Sequence, residues 1–319
     1  MGGIERAQSP DLIIDCGGEM AVETVESACY RHPRRETFVR CSRCDRFICS
    51  DCMREAPVGQ RCPDCVKGEN KTVRQARTIF GARAGVATAY ATYTIIAVDV
   101  ALYLVELVRP AIINRFDVVG TELVDSAGRY YVDDGGPVPP GYDLVGVLHG
   151  EWWRLFTGAF LHQLPGNGFG ITHIVFNVMW IATLGVFLER QLGWGRFLAL
   201  YLISALGSSA FIVIIDPHQG AVGASGAGFG LAAAYFVLTR KVHEHPIDRN
   251  RLLFTSVLWL VFAAGITSWQ GHLGGLVTGA AVAGVIAYAP RKRQTQAQVT
   301  LLAVVALVLI VAIVARAAG

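Results

Sequence analysis

Charge is scarce in this chain of 319 residues: 17% are Asp, Glu, Lys or Arg against about 25% in an ordinary soluble domain, while 53% are hydrophobic. A single soluble globule with so few charges could not cover its own surface. An excess of one sign is also lacking, with 28 Lys+Arg against 25 Asp+Glu and a net charge of +3, which argues against a nucleic-acid binder with a basic surface throughout. Cysteine is absent after Cys65, although eight cysteines precede that point. The first 20 residues lack the basic-then-apolar pattern of a signal peptide, and Asp15 directly before Cys16 speaks against lipid attachment there. Cys16 is expected to be a bystander. Two unlike parts are joined in one chain.

What the second part has is apolar length. A helix rising 1.5 Å per residue needs about 20 residues to cross roughly 30 Å of hydrocarbon. Seven runs approach that length: Ala82–Leu107, Ile171–Leu188, Phe197–Ile215, Ala224–Thr239, Leu252–Ile266, His272–Ala289 and Val299–Ala315. Mean hydropathy is +0.42. The expected fold class is an all-α polytopic membrane protein. Lys and Arg fall before the first run (Lys67, Lys71, Arg74, Arg77, Arg83) and after the second, fourth and sixth, whereas the links Asp216–Gly223 and Thr267–Gly271 have none. The positive-inside rule then puts the N-terminus in the cytoplasm and the C-terminus across a cell (plasma) membrane. Residues 108–170 become an external link, in keeping with their acidic content.

The cysteine-rich part reads Cys29-x2-His32, Cys41-x2-Cys44, Cys49-x2-Cys52 and Cys62-x2-Cys65. Four such pairs supply the eight ligands of two tetrahedral Zn²⁺ sites. A disulfide framework would need an oxidising compartment, whereas the charge pattern places this segment where thiols stay reduced. Four protein ligands leave no open position on the metal, so two structural zinc ions are expected and none for catalysis. Such a domain serves protein contact or regulation, and a cytoplasmic protein partner is the expected one. Arg31, Arg34, Arg35, Arg40, Arg43 and Arg46 raise nucleic acid as a weaker reading, and a solvated basic face near anionic lipid as the plainer one. The arrangement resembles a B-box or cross-brace zinc finger. That resemblance implies that Cys29, His32, Cys49 and Cys52 hold one ion and Cys41, Cys44, Cys62 and Cys65 the other. Sequential pairing stays open on the sequence.

Ionisable groups inside apolar spans are costly and therefore point to function. His173 and Asn177 in the second run, Ser225 at the start of the fourth and His272 at the start of the sixth stand out. These three runs cross in the same direction in the derived topology, so their N-terminal ends share the external half of the bilayer. Gly223-Ala224-Ser225-Gly226 taken alone is better read as close helix packing than as a site. Beside His272 it becomes a nucleophile with a candidate base. His173 and Asn177 are four apart on one helical face and offer two donors of the kind an oxyanion requires, or form a structural pair.

Trp153-Arg154, His173-Ile174-Val175-Phe176-Asn177, Leu188-Glu189-Arg190, Gly223-Ala224-Ser225-Gly226 and Gly271-His272-Leu273-Gly274-Gly275 together resemble the rhomboid family of intramembrane serine proteases. The resemblance covers about Glu151 to Ala289. It implies a six-helix core, with Ser225 as nucleophile and His272 as general base in a dyad without a carboxylate. His173 and Asn177 would be oxyanion donors, His162 and Glu189 structural groups. The implied substrates are transmembrane proteins cut near the external face of the lipid bilayer. A seventh helix is an addition, residues 116–150 look inserted, and Gln163–Gly170 looks longer than usual. The expected division is 1–26 flexible, 27–68 zinc finger, 69–80 basic linker, 81–290 rhomboid core and 291–319 extra helix. A non-proteolytic rhomboid-like adaptor or transporter is the competing reading. A zinc protease is disfavoured because His243-Glu244-His245 is not a His-Glu-x-x-His helix.

Overall fold

A computed structural model describes residues 27–72, 76–85, 88–242, 246–262, 264 and 267–318. Cys16 and His243-Glu244-His245 lie outside the described residues. The chain forms two compact units that divide between Arg74 and Gln75.

The first unit holds two antiparallel hairpins, β1 (Ala28–Cys29) with β2 (His32–Glu36) and β3 (Arg54–Glu55) with β4 (Gln60–Arg61), followed by helix α1 (Pro63–Thr72). Its buried centre consists of Cys29, Cys41, Ile48, Cys49, Cys52 and Cys62. A core made of one isoleucine and five thiols buries little apolar area, so hydrophobic burial alone is a weak source of stability here.

Among its described residues the second unit is helical apart from one small sheet and the irregular links between elements. Helix α2 (Tyr90–Val108) leads through α3 (Ile112–Phe116) into a three-stranded antiparallel sheet with β5 (Glu122–Asp125) between β6 (Tyr130–Val132) and β7 (Tyr142–Val145). The short α4 (Arg154–Thr157) follows. Then come α5 (Ile171–Leu192), α6 (Trp194–Ile215), α7 (Ser225–Leu238), α8 (Arg249–Phe262), α9 (Trp269–Tyr288) and α10 (Gln294–Ala318).

Five helices among the described residues are long and apolar enough to cross a membrane: α2, α5, α6, α9 and the segment ending in α10. The chain is a multi-pass membrane protein. Two of the seven expected spans fall short, since α7 and α8 are 14 residues each. At 1.5 Å per residue α7 rises only about 21 Å, less than the roughly 30 Å of hydrocarbon. Its missing length is taken by irregular chain ahead of Ser225, which is tied into the protein: the N–H groups of Gly120 and Thr121 donate to Pro217 O, and Gly223 N–H donates to Gly158 O at 2.9 Å. Non-helical backbone at membrane depth is tolerated where protein satisfies it in this way. The first span begins at Tyr90 rather than Ala82, because the preceding chain turns at Gly81 and Gly85, both at positive φ.

The core of this unit gathers on α7, with Leu231 and Tyr235 packed among Leu184, Leu188, Tyr201, Val282 and Ile286. Helices α7 and α9 are in backbone contact, since a Cβ at Gly275 would land on the Gly226 carbonyl and one at Gly279 on that of Gly230. Glycine at those positions is what lets the two helices approach. The added helix α10 packs away from these glycines, with Gln298 Nε2 donating to Ile286 O at 2.9 Å and Ile313 buried beside Val213. Valines and leucines along its outer side, such as Val299, Leu307, Val308 and Val311, are exposed, as a lipid-facing surface requires.

Arg154 organises the link between α2 and α5. It is fully buried and ion-paired with Asp117 (2.6 Å), Glu122 (2.7 Å) and Glu151 (2.6 Å), joining β5 and the chain before it to α4. Glu189, near the other end of α5, accepts from the N–H groups of Ala91 and Thr92 and from Thr92 Oγ1, at 2.8–2.9 Å. A carboxylate there caps the N-terminus of α2.

Candidate active site and metal clusters

Ser225 is the first residue of α7, so its N–H and those of the next residues belong to the first turn, which has no intrahelical acceptors. His272 lies in the first turn of α9. The interlocked glycines bring those two helix starts together, and Ser225 Oγ stands 2.9 Å from His272 Nε2. The imidazole is buried and stacks on Phe229, with ring centroids 4.4 Å apart at 12°. Its Nδ1 is buried with no hydrogen-bond partner among the described residues. With Ser225 donating to Nε2, the ring proton resides on Nδ1.

His173 and Asn177 occupy the first two turns of α5. Asn177 Nδ2 donates to His173 O at 2.8 Å, which uses one of its two N–H bonds and leaves the other for the site. Gly223, at φ +126°, lets the His173 ring close on the serine loop: a Cβ there would stand 2.8 Å from His173 Nε2 and 3.7 Å from Ser225 Oγ.

All four residues line one cavity of about 690 Å³. Its wall alternates Gln163, Ser208, Gln219 and Ser268 with Phe176, Trp180 and Trp259, the last three from α5 and α8. Polar groups inside an apolar scaffold give water a place to stand. His162 is not in this wall. It is fully buried, with its ring 5.4 Å from that of His173.

Residues at the site that the sequence reading passed over are Glu106 and Gln163. Glu106 is buried in α2, and its Oε2 accepts the His162 N–H at 3.0 Å. The cost of an ionisable group in a span flags Glu106, and Asp99 with it, as readily as His173. Gln163 N–H donates to His173 Nδ1 at 3.2 Å, a backbone contact that carries no side-chain signature.

In the first unit, one donor atom from each of Cys29, His32, Cys49 and Cys52 lies within 4.8 Å of the others, and the same holds for Cys41, Cys44, Cys62 and Cys65. Alternate pairs are thus grouped, not sequential ones. His32 Nδ1 is 3.2 Å from Cys49 Sγ and 3.4 Å from Cys52 Sγ, and Cys44 Sγ is 3.7 Å from Cys62 Sγ. Ligands about 2.3 Å from a tetrahedral ion stand roughly 3.8 Å apart, so these spacings suit a metal of that size. The Cys/His cluster fits a zinc finger, and its seven cysteines are free thiols.

A polytopic membrane protein with a serine and a histidine joined at the starts of two glycine-packed helices is the class that fold and site define. A sequence model of the Rhomboid domain matches residues 149–289. The putative rhomboid protease YdcA of Bacillus subtilis is 36% identical over 144 residues, 44% of this chain and 69% of that protein. The rhomboid protease GluP of the same organism is 36% identical over 137 residues, 42% of this chain and 26% of that protein. The rhomboid protease GlpG of Salmonella newport is 33% identical over 157 residues, 46% of this chain and 53% of that protein. The chain belongs to the rhomboid family. The match covers about a quarter of GluP and half of GlpG.

Proposed function

We propose that the protein is an intramembrane serine endopeptidase that cleaves transmembrane segments near the external membrane face. The observation that carries this reading is the 2.9 Å contact between Ser225 Oγ and His272 Nε2 inside a partly polar cavity. Ser225 Oγ attacks the scissile carbonyl carbon while its proton passes to His272 Nε2. The carbonyl oxygen becomes an oxyanion, held by the Ser225 N–H at the positive end of α7 and by donors from His173 and Asn177. The C–N bond breaks as His272 returns the proton to the leaving amine. Water then adds to the acyl-enzyme by the same route, freeing Ser225. A substrate helix must unwind locally to present its carbonyl, and the cavity polar groups offer replacement partners for the freed backbone.

The relatives named as proteases support the reading from outside the geometry. Purified protein is incubated with a reporter transmembrane substrate and, separately, with a fluorophosphonate probe. Ser225→Ala is expected to abolish labelling, and Ser225→Ala and His272→Ala each to lower kcat by roughly four orders of magnitude or more. Labelling that persists in Ser225→Ala, or cleavage undiminished in both variants, would sink the dyad.

In the first unit the same proposal assigns two structural zinc ions and a protein-contact or regulatory role on the cytoplasmic side, with the C-terminus of α10 external. Arg35, Arg40, Arg43 and Arg46 are matched by Asp51, Asp45, Glu69 and Asp64, which speaks against a free basic face for nucleic acid. Elemental analysis is expected to give two zinc ions per chain. A strong chelator should unfold residues 27–72 while leaving the spans helical, because the thiol-rich core depends on metal for its folding energy. Zero or one ion, or chelator-resistant structure, refutes the two-site reading.

A further inference from the structure

The proposed oxyanion role of His173 requires a proton on the nitrogen that faces the serine, and neutral imidazole has two tautomers to choose from. The choice is made by what the other nitrogen meets. At His173 Nδ1 that partner is the Gln163 N–H, 3.2 Å away, and a backbone N–H only donates. Nδ1 is therefore an acceptor without a proton, and the ring proton belongs on Nε2, the nitrogen that Gly223 admits beside the serine loop.

The Gln163 N–H is held in turn by the residue before it. His162 N–H donates to Glu106 Oε2 at 3.0 Å, from a carboxylate fully buried in α2. On the other side, the Gln163 side chain accepts the Phe169 N–H at 2.8 Å and closes residues 163–169 into a loop that starts from this anchor. The His162 ring fills the space between Tyr103 of α2 (6.4 Å) and His173 (5.4 Å), so the backbone at 162–163 is fixed by a hydrogen bond on one side and ring packing on the other.

We infer that Glu106 is a positioning residue for the oxyanion donor: through the His162 and Gln163 backbone it sets the Nε2–H tautomer and the orientation of His173. This rests on the proposed role of His173 and adds to it a residue outside the motifs that define the site. It also gives the long link between His162 and His173 a function, because the Gln163 N–H that selects the tautomer is the first group of that loop.

The experiment compares Glu106→Gln, whose amide oxygen still accepts the His162 N–H, with Glu106→Leu, which fills the space without an acceptor. Rates are taken per active site titrated with fluorophosphonate, so that loss of folded protein does not enter. Glu106→Gln is expected to stay within about twofold of wild type, and Glu106→Leu to lose about tenfold or more in kcat with KM unchanged, the signature of an interaction made in the transition state. Nitrogen-15 spectra of histidine-labelled protein, assigned with His173→Asn, are expected to show His173 protonated on Nε2 in wild type and Glu106→Gln and mixed in Glu106→Leu. An unchanged kcat in Glu106→Leu, or a proton on Nδ1 of His173 in wild type, overturns the inference, and the second outcome does so even if Glu106→Leu fails to fold. Failure of the protease reading shows separately, as cleavage that survives Ser225→Ala, and leaves the tautomer measurement standing.

Discussion

Ser225 combines two roles that usually fall to different residues: it carries the hydroxyl that pairs with His272 and it opens the helix whose free N–H groups face the same space. In the proposed mechanism one residue thereby sets both the nucleophile and one oxyanion donor. The proposed third donor is Asn177, which spends one N–H on the His173 carbonyl. Asn177→Ala is expected to lower kcat about 10²–10³-fold, the cost of losing one preorganised donor, with the helix intact because the bond it gives up is internal to α5. Steady-state kinetics beside a helical circular dichroism spectrum check this, and a fall in KM affinity alone would contradict a transition-state role.

Among elements, α7 and α9 decide where the proposed chemistry sits. Their starts carry Ser225 and His272, and their glycines replace side chains at the interface. Gly275→Val is expected to destabilise the protein by about 3 kcal/mol, the upper end for overpacking, and to abolish cleavage by parting the two helices. Thermal unfolding in detergent together with the cleavage assay tests this; an unshifted midpoint would mean the helices separate freely. The Gly271-x3-Gly275-x3-Gly279 spacing made that face legible in the sequence. The short α7 was not legible, because hydropathy counts apolar residues and is blind to whether their backbone is helical. The sheet between α3 and α4 escaped for a different reason: its strands have only three or four residues, and β5 pairs with β7 past the intervening β6, so neither length nor alternation announces it.

At the scale of the whole molecule, positions of charge carried more than their number. The basic links in the sequence made the N-terminal ends of three runs converge, and His173, Ser225 and His272 do line one cavity. An acidic residue in a span flags Glu106, but its partner, the backbone N–H of His162, is beyond pattern reading because no residue type encodes it. Burial, and then the neighbouring carboxylate of Glu122, pushes Asp117 up to about 7, and burial likewise holds Glu122 at about 7 despite Arg154. An unfolded chain gives up these protons near ordinary carboxylate values of about 4, before the folded one does, so stability is greatest below that range and falls as pH rises towards 7. The unfolding midpoint is expected to be higher at pH 5 than at pH 7.5, and the slope to flatten in Asp117→Asn/Glu122→Gln. A slope of opposite sign, or one unchanged in the double variant, would refute this.

Backbone contact between α7 and α9 bears on how the protein can move. With Gly226 against Gly275 and Gly230 against Gly279, the two helices meet backbone to backbone at two successive turns, and the Phe229 ring stacks on His272 beside them. A bilayer that thins, thickens or tilts these helices carries serine and histidine together as one rigid body. In the proposed mechanism the catalytic pair therefore keeps its distance whether the cavity is open or shut.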